Sequence, residues 1–437
     1  MSNPPPDSYI VEGGKPLYGV LKPCGSKNAA LPILAACLLT GSDVTLHNLP
    51  DIRDVRAMLS LLESIGVSIS RLSSGSLRLN ASSINPDNID IATCREIRAS
   101  ILLAGPLTAR TGRVKLPPPG GDIIGRRRLD THFLTLEQMG ADVSFSSRML
   151  SFSAERLTGK FIFLDEPSVT ATENAIMAAT LAEGETVIYN AACEPNVQDL
   201  ANMLTSMGAG ITGIGTNRIV ISGSSTLLNG TEHTIVPDHI EIGSFIGLAA
   251  CCGGVVRIPD VPSNIINPTM NGFSRLGVST DTDGEYLVID GTRKLEVQPD
   301  RGGSIPTIYD APWPGFSPDL TSTAVVVATQ SSGTSLIFEK MFESRLFFVD
   351  KLVSMGAAII QCDPHRVVVS GPSRLHGTDV SSPDIRAGMA LLTAALCAEG
   401  TSIIRNVHQI ERGYENLVFR LKDLGASITA GPSYESH

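Results

Sequence analysis

The stretch LLESIGVSI (61–69) consists of a Leu-rich helical turn, a glycine, a small residue and a short β-branched segment. It recurs five times at intervals of about 70 residues, as LEQMGADV (136–143), LTSMGAGI (204–211), FSRLGVST (273–280), LVSMGAAI (352–359) and LKDLGASI (421–428). The glycine of each copy stands where a helix C-cap is expected, because the left-handed conformation there favours a residue without a Cβ atom. The chain is therefore predicted to contain six α/β repeats.

A second pattern alternates with the first: a helix of small apolar residues, a glycine, and a strand rich in β-branched residues. Its glycines also lie about 70 residues apart, at positions 41, 112, 184, 254, 333 and 400. The helices of this pattern, such as NAALPILAACLL (28–39) and AGMALLTAALCA (387–398), are apolar almost all round. They are therefore predicted to be buried on all sides. More polar helices, DVRAMLSLLESI (54–65) and LVFRLKDL (417–424), are predicted to cover the outside.

Six repeats are compatible with a solenoid or with two compact domains of three repeats each. We favour two domains because the repeats share no surface motif and because the N-terminal strand completes a repeat that the C-terminus leaves open. The predicted first domain spans residues 27–236 and carries a lid loop at 117–128, and the second combines residues 1–26 with 237–437. A ligand site is expected in the cleft between two such domains.

The composition and charge of the 437 residues exclude several classes of protein. Hydrophobic residues make up 42% and charged residues 18%, which excludes a disordered chain. The 34 basic and 44 acidic residues give a net charge of −10, and no long Lys/Arg-rich run is present, so nucleic acid is not expected as a partner. The N-terminus lacks the features of a signal peptide, and no apolar stretch approaches the roughly 20 residues of a membrane span. A cytoplasmic protein without a membrane partner is expected.

The eight cysteines form no C-x-x-C pair, and several lie within Ala/Leu-rich helical runs. Such thiols are typically small buried hydrophobes, and neither a disulfide scaffold nor a metal site is predicted.

Basic residues recur at the ends of predicted elements. Those that precede or begin a helix are Lys27, Arg98, Arg345, Arg386 and Arg412. Three further arginines, Arg126 to Arg128, follow the loop PPPGGDIIG (117–125), in which prolines stiffen one end and glycines free the middle. Each basic residue alone is compatible with a solvated charge or an ordinary ion pair. Because helix N-termini already favour anions, the set together predicts one site for a small polyanion, with the loop as its lid.

Eight segments of the chain resemble the enolpyruvyltransferases: GSKNAALPILAA (25–36), RASILLAGPL (98–107), GGDIIGRRRLDTH (120–132), PSVTATENAIMAA (167–179), PDLTS (318–322), FESR (342–345), DIRAG (384–388) and ERGYE (411–415). The resemblance covers nearly the whole chain in the same order. It is greatest to the members that transfer enolpyruvate to UDP-N-acetylglucosamine at the start of peptidoglycan synthesis. It implies an α/β fold of two inside-out barrel domains, each with three βαβαββ units. It also implies phosphoenolpyruvate as a co-substrate, no cofactor and no obligate protein partner.

The resemblance assigns roles to matching residues. Lys27, Arg127 and Arg412 would bind the phosphate of phosphoenolpyruvate, and Arg345 and Arg386 its carboxylate. The implied UDP-sugar site comprises Asn28, Arg98, Arg127, Arg128, Leu129, Asp130, Thr131, Glu166, Pro167, Ser168, Val169, Asp319 and Met341. Asp384 is a further implied substrate-binding residue. The implied catalytic residues are Lys27, Asp122, Asp319 and Arg412, with Asp319 accepting the proton of the sugar 3-hydroxyl. An alcohol needs such a base in the transition state, and cations stabilise the leaving phosphate.

Asp122 departs from the pattern of many members, in which a cysteine at this lid position protonates the enol carbon and is the target of fosfomycin. Aspartate occurs at this position in some members. A free Asp has a pKa near 3.9, so acting as the acid near pH 7 requires a rise of about 3 units. We expect Asp122 to take up a proton in the closed ternary complex and the chain to be insensitive to covalent attack by fosfomycin.

Two further departures concern the acceptor. Glu166 stands where some members have a Lys that reaches the diphosphate, and Arg128 stands where members often have Pro. Relative to those members, the chain therefore lacks one positive charge at position 166 and gains one at position 128. Three alternatives to an enzyme with a UDP-sugar acceptor stay open: another nucleotide hydroxyl as acceptor, a shikimate-type acceptor, and a non-catalytic paralogue that binds a UDP-sugar.

Overall fold

The computed structural model describes residues 7–121, 128–146 and 148–431. These residues form two compact units, one of residues 7–23 with 239–431 and the other of residues 24–121 with 128–238. Each unit contains three mixed or antiparallel sheets and its own hydrophobic core. The predicted α/β fold class is therefore confirmed.

The helices of the described residues are α1 Lys27–Ala36, α2 Arg53–Ser64, α3 Ile91–Cys94, α4 Ala104–Thr111, α5 Asp130–Gln138, α6 Val169–Ala179, α7 Pro195–Ser206, α8 His239–Cys252, α9 Ser263–Phe273, α10 Thr321–Gln330, α11 Val349–Ser354, α12 Ile385–Cys397, α13 His408–Glu411 and α14 Leu417–Asp423. Short 3₁₀ helices span Cys37–Leu39, Pro86–Asn88, Arg98–Leu103, Ser274–Leu276, Pro318–Leu320 and Arg345–Phe348. None of the helices described here is long and apolar enough to cross a bilayer.

The strands of the described residues are β1 Ser8–Glu12, β2 Leu17–Val20, β3 Val44–His47, β4 Ser68–Ser73, β5 Ser76–Asn80, β6 Arg113–Leu116, β7 Asp142–Phe145, β8 Leu150–Ser153, β9 Phe161–Phe163, β10 Glu185–Tyr189, β11 Gly210–Thr212, β12 Arg218–Ser222, β13 Thr231–Thr234, β14 Gly254–Pro259, β15 Asp281–Asp283, β16 Tyr286–Asp290, β17 Thr307–Tyr309, β18 Gly333–Phe338, β19 Ile359–Gln361, β20 Arg366–Gly371, β21 Asp379–Ser381, β22 Thr401–Arg405 and β23 Ser427–Gly431.

In the unit of residues 24–238, the sheets have the strand orders β13-β3-β5-β4, β6-β8-β7 and β11-β12-β10-β9. The first sheet joins the two ends of the unit, because β13 pairs with β3 in parallel, with Thr231 opposite Val44. The apolar helices α1, α4 and α6 pack against one another inside the unit, and the buried faces of the strands cover them.

In the other unit, the sheets have the orders β21-β22-β1-β23, β15-β16-β14-β2 and β17-β18-β20-β19. Strand β1 lies between β22 and β23, with Tyr9 opposite both Ile404 and Ala430. The N-terminal strand thus completes the C-terminal repeat, as predicted. Helices α8, α10 and α12 pack on one another inside the unit, and α8 is buried at every residue except Cys251.

The glycine C-caps predicted for the first pattern are confirmed, whereas in the second pattern Gly112 is a C-cap but α6, α10 and α12 end at Thr180, Ser331 and Ala398, before their glycines. Gly66 and its five counterparts all have positive φ angles, between 85° and 106°. Gly41, in the second pattern, has no positive φ angle, because α1 ends through the 3₁₀ turn Cys37–Leu39 and an extended Thr40 (φ −132°, ψ 155°). The Thr40 hydroxyl accepts the Ser42 N–H at 3.0 Å, so the chain leaves the helix one residue before the glycine.

Candidate active site

The three residues Asp319, Arg345 and Arg386, called the Asp319 cluster below, are in direct contact. Arg345 Nη2 donates to Asp319 Oδ1 at 2.7 Å, and Arg386 Nε donates to Asp319 Oδ2 at 3.0 Å. The two arginine side chains are 2% and 7% exposed, whereas that of Asp319 is 24% exposed. The cluster is therefore a pair of buried guanidinium groups that a single, more accessible carboxylate bridges.

Helix starts position the members of this cluster. Asp319 lies in the 3₁₀ turn before α10, where the Ser317 hydroxyl accepts its N–H at 3.3 Å. Arg386 lies in the first turn of α12, whose N-cap is Asp384. The Asp384 carboxylate accepts the N–H groups of Arg386 and Ala387 at 2.8 and 3.0 Å, which is the usual contact of an N-cap aspartate. Asp384 therefore orients the helix turn that presents Arg386.

A second carboxylate lies on the buried side of Arg345. Glu339 is 0% exposed, its Oε1 accepts the Phe342 N–H at 3.2 Å, and its Oε2 lies 3.8 Å from Arg345 Nε. Burial, together with the charge of neighbouring Asp310, raises the pKa of Glu339 to about 9, although Arg345 opposes this rise. Glu339 is thus protonated near neutral pH, and Arg345 keeps its charge for the exposed side of the cluster.

Arg386 is also held by a chain of hydroxyl groups. Its Nη1 donates to the Tyr414 oxygen at 3.3 Å, so the Tyr414 hydrogen is directed to Ser244 Oγ, 2.9 Å away. Ser244 in turn donates to the Ile240 carbonyl at 2.8 Å. This chain ties Arg386 to α8, inside the same unit.

Arg412 follows α13 and is 8% exposed. Its Nη1 donates to Gln409 Oε1 at 3.1 Å. Tyr9, on β1, donates to the Oε1 of the preceding residue, Glu411, at 3.0 Å. The N-terminal strand therefore also supports the turn that carries Arg412.

In the other unit, Lys27 is the first residue of α1 and is 8% exposed. Its Nζ lies 2.7 Å from Asp54 Oδ2, and its N–H donates to Asp238 Oδ2 at 3.1 Å. The hydroxyl of the N-cap residue Ser26 accepts the Ala29 N–H at 3.3 Å. Lys27 is thus fixed at a helix N-terminus, a position that favours bound anions.

The second group in this unit surrounds Arg128 and is called the Arg128 cluster. Arg128 pairs with Asp130 at 2.8 Å and with Asp165 at 3.0 Å, and Arg98 Nη2 donates to its carbonyl at 3.2 Å. The Asp130 and Asp165 carboxylates raise the pKa of Arg128. Thr131, which is 1% exposed, donates to Asp165 Oδ1 at 2.8 Å and lies 3.5 Å from Glu166 Oε1. Residues of the predicted segments 98–107, 120–132 and 166–169 thus meet here.

A buried network supports this cluster from behind. Asn174 Nδ2 donates to the Ile101 carbonyl at 2.8 Å and lies 2.9 Å from His132 Nδ1. His132 Nδ1 is therefore the acceptor, and its Nε2–H donates to Thr170 Oγ1 at 3.1 Å. The Asn174 side-chain oxygen also accepts the Gly105 N–H at 2.8 Å. A Cβ atom at Gly105 would lie only 2.6 Å from the backbone carbonyl oxygen of Asn174, so this close approach requires a glycine. The network joins α4, α5 and α6.

His132 predicts a loss of stability in acid. Burial, and secondarily the charge of Arg98, lowers the pKa of His132 from 6.5 to about 3. Between these values the unfolded chain binds a proton that the folded chain does not, so stability falls as the pH falls, by up to ~1.4 kcal/mol per unit. We expect His132→Gln to reduce this dependence in urea unfolding at pH 4.5, 5.5 and 6.5, followed by circular dichroism. Equal pH slopes in the wild type and the variant would contradict a neutral buried His132, and His376→Gln, at an exposed position, is the control.

Several predicted residues take no part in these contacts. Asp122, Arg126 and Arg127 lie outside the described residues. The half-buried or exposed residues Asn28, Leu129, Pro167, Ser168, Val169 and Met341 lie at or beside helix starts or on the loop after β18. In the described ranges, no group of three or more His, Cys, Asp or Glu side chains is placed to hold a metal ion. The roles predicted for these residues stay predictions.

The sequence reasoning missed Asp54, Asp165 and Glu339. Asp165 adjoins Glu166, and Glu339 lies six residues before Arg345, so both lie just outside the predicted site segments. Asp54 carried a weaker signal, a carboxylate in the first turn of an amphipathic helix. For Asp54 and Asp165 the missing information was the basic partner that neutralises the carboxylate, Lys27 and Arg128 respectively.

The amino-acid sequence is similar to one protein-family model and to known relatives over nearly its full length. A family model described as EPSP synthase (3-phosphoshikimate 1-carboxyvinyltransferase) matches residues 11–421. The chain is 55% identical over 420 residues to the UDP-N-acetylglucosamine 1-carboxyvinyltransferase of Treponema denticola, covering 96% of this chain and 98% of that one. It is 54% identical over 431 residues to the enzyme of the same name from Bradyrhizobium diazoefficiens, covering 99% and 100%.

Solved structures share the fold. The crystal structure of the enolpyruvyl transferase NikO from Streptomyces tendae matches with a TM-score of 0.86 at 24% identity, covering 98% of this chain and 99% of that one. An EPSP synthase from Acinetobacter baumannii matches with a TM-score of 0.72 at 16% identity, covering 97% and 99%. The full-length family match and the relatives at more than half identity lead to one conclusion: this chain belongs to the enolpyruvyltransferase family.

Proposed function

We propose that this chain transfers the enolpyruvyl group of phosphoenolpyruvate to the 3-hydroxyl of UDP-N-acetylglucosamine and releases phosphate. The observation that carries the proposal is the Asp319 cluster, in which one accessible carboxylate bridges two buried arginines. The names of relatives 54–55% identical over nearly the full length support the acceptor. The reaction would be the first committed step of peptidoglycan synthesis, in the cytoplasm.

The Asp319 cluster suggests how the carboxylate of phosphoenolpyruvate is bound. Arg345 and Arg386 together present guanidinium groups to one carboxylate, the geometry that such groups recognise best. In this proposal the substrate carboxylate replaces Asp319 on the two arginines. Once displaced from them, Asp319 accepts the proton of the sugar hydroxyl, which makes that oxygen a competent nucleophile.

The leaving phosphate would be bound by Lys27, Arg127 and Arg412. Lys27 is the first residue of α1, so the helix N-terminus adds to the attraction of its ammonium for the phosphate. Concentrated positive charge lowers the barrier to C–O cleavage because it stabilises the charge that develops on the leaving group. Proton transfer and charge stabilisation account for this reaction without a cofactor, and phosphoenolpyruvate acts as a co-substrate.

The Arg128 cluster would bind the UDP-sugar. Arg128 lies beside Asp165 and close to Glu166, the position at which some relatives carry a lysine. In this proposal Arg128 supplies the cation that Glu166 does not, and Thr131 and the segment from Glu166 to Val169 contact the nucleotide. Arg98 orders the cluster through the Arg128 carbonyl.

Phosphate release from phosphoenolpyruvate tests the proposal. We expect release with UDP-N-acetylglucosamine and none with shikimate 3-phosphate or UMP. Release with UMP and not with the UDP-sugar would instead favour a nucleotide acceptor, the alternative that the Glu166 position raises. Binding of UDP-N-acetylglucosamine without phosphate release from any acceptor would indicate a non-catalytic paralogue.

Fosfomycin gives a second prediction, which concerns Asp122. A carboxylate is a much weaker nucleophile toward an epoxide than a cysteine thiolate, so no covalent adduct is expected. Intact-mass spectrometry after incubation with fosfomycin and UDP-N-acetylglucosamine measures this directly, and Asp122→Cys is the matched control that should gain the adduct. An adduct on the wild-type chain that maps to residue 122 would contradict the prediction.

A further inference from the structure

Three cysteines meet at the C-terminal ends of two inner helices. Cys251 and Cys252 end α8, and Cys397 ends α12. Both the Cys251 and the Cys252 thiols hydrogen-bond to Cys397, and the Cys252 and Cys397 sulfurs are 3.4 Å apart. Cys252 is buried, and Cys251 and Cys397 are partly exposed. The site is therefore a thiol cluster at the ends of two helices, next to the surface.

The geometry is close to that of a disulfide. A disulfide has an S–S distance of about 2.05 Å, so the Cys252 and Cys397 sulfurs need to approach by little more than ~1.3 Å. Helix ends fray more easily than helix centres, so the last turns of α8 and α12 are where such a movement costs least. Neither helix needs to move as a whole.

The cluster also determines which sulfur reacts first. A hydrogen bond between the Cys252 and Cys397 sulfurs stabilises the thiolate of the sulfur that accepts it, and the neighbouring Cys251 and Cys252 thiols lower the pKa of Cys397. Burial and the bond to Cys397 raise the pKa of Cys251 and Cys252. Because the thiolate is the nucleophile, the lowered pKa of Cys397 favours attack on an oxidant by this sulfur, and Cys252, 3.4 Å away, is placed to resolve the product.

We propose that Cys397 and Cys252 form a peroxide-oxidisable dithiol site. The Cys397 sulfur attacks one oxygen of hydrogen peroxide: the S–O bond forms, the O–O bond breaks, and hydroxide leaves with the Cys397 proton as water. The sulfur is oxidised to a sulfenic acid and the peroxide is reduced. Cys252 then attacks Cys397: the S–S bond forms, the S–O bond breaks, and hydroxide leaves with the Cys252 proton as a second water.

Peptide mapping tests the site on the intact, reduced protein. Cleavage after Arg218 and Arg257 gives residues 219–257, which contain Cys251 and Cys252, and cleavage after Arg386 and Arg405 gives residues 387–405, which contain Cys397. After treatment with hydrogen peroxide and blocking of free thiols, non-reducing mass spectrometry should show these two peptides linked. Reduction with a thiol should separate them again.

Single variants identify the sulfurs. Cys397→Ser and Cys252→Ser should each abolish the link, whereas Cys251→Ser should retain it. Cys362, which is exposed and lies outside the cluster, reports general oxidation within the same sample. Oxidised Cys362 with the two peptides unlinked in the wild type would overturn the proposal, whatever the folding of the variants, and so would a link that survives Cys252→Ser.

This site is independent of the proposed reaction. Cys397 is separated from Arg386 by most of α12, about 17 Å at 1.5 Å per residue. We therefore expect Cys252→Ser and Cys251→Ser to keep the wild-type rate of phosphate release under reducing conditions. Failure of the acceptor assay would leave the dithiol test unchanged, since the link is read from peptides and not from turnover.

Discussion

Asp319→Asn is expected to lower kcat by about 10²–10⁴-fold, the usual range for loss of a general base, while KM for phosphoenolpyruvate stays unchanged or falls. An amide cannot accept the proton of the sugar hydroxyl at neutral pH. It also binds the two arginines less strongly than the carboxylate that now contacts them at 2.7 and 3.0 Å. The substrate carboxylate would then meet a weaker competitor for Arg345 and Arg386. A large fall in kcat without a rise in KM is the signature of a base that also occupies the binding site.

Steady-state kinetics of phosphate release, with both substrates varied, measures the two effects separately. Asp379→Asn is the matched control: it is an exposed carboxylate of the same unit that pairs with Arg405 at 2.7 Å, outside the cluster, and it should leave both constants unchanged. A kcat within about tenfold of the wild type would remove Asp319 as the base. A rise in KM with kcat unchanged would assign it to binding alone.

Much of the fold was predictable because its signals are local. Gly66 and its five counterparts end helices in the left-handed conformation, and the apolar helices are buried all round. Both properties depend on residues that are neighbours in the sequence. The basic residues at helix starts were predictable for the same reason. Gly41 shows the limit, because a 3₁₀ turn and Thr40 end that repeat's helix before the glycine is reached.

The contacts within the candidate site were not predictable from local patterns. Arg386 and Asp319 are 67 positions apart, and Lys27 and Asp54 belong to different helices. Arg386 meets Asp319 because α12 packs on α10, and Lys27 meets Asp54 because α1 packs on α2, and neither packing is encoded in the neighbouring residues of the sequence. The resemblance named Asp319, Arg345 and Arg386 as site residues, but not that one carboxylate bridges the two arginines. Nor did it name Glu339 behind them.

Glu339→Gln is expected to change how stability depends on pH. The pKa of Glu339 is near 4.3 in an unfolded chain, and burial raises it to about 9 in the folded unit. Between these values the folded state holds a proton that the unfolded state has lost, so wild-type stability falls as the pH rises through this window. The glutamine side chain has no such proton. As the pH rises, the free energy of unfolding of the variant should therefore increase relative to that of the wild type, by up to ~1.4 kcal/mol per pH unit.

Urea unfolding at pH 6, 7 and 8 measures this difference. Trp313, the single tryptophan of the chain, lies in the same unit as Glu339, so its fluorescence reports the unfolding of that unit. Glu399→Gln is the matched control. Its exposed carboxylate pairs with Arg374 at 2.6 Å, which lowers the pKa of Glu399, so it is ionised in both states and its replacement should add no slope above pH 6.

Parallel pH profiles of the wild type and Glu339→Gln would mean that Glu339 is ionised in the folded unit. Arg345 would then lie between two carboxylates, Glu339 at 3.8 Å and Asp319 at 2.7 Å, and part of its charge would be neutralised from the buried side. Diverging profiles would mean that the proton on Glu339 leaves that charge facing Asp319. Since Asp319 is the carboxylate that a substrate would have to displace, the protonation state of a fully buried residue sets how strongly the pair of arginines attracts an anion.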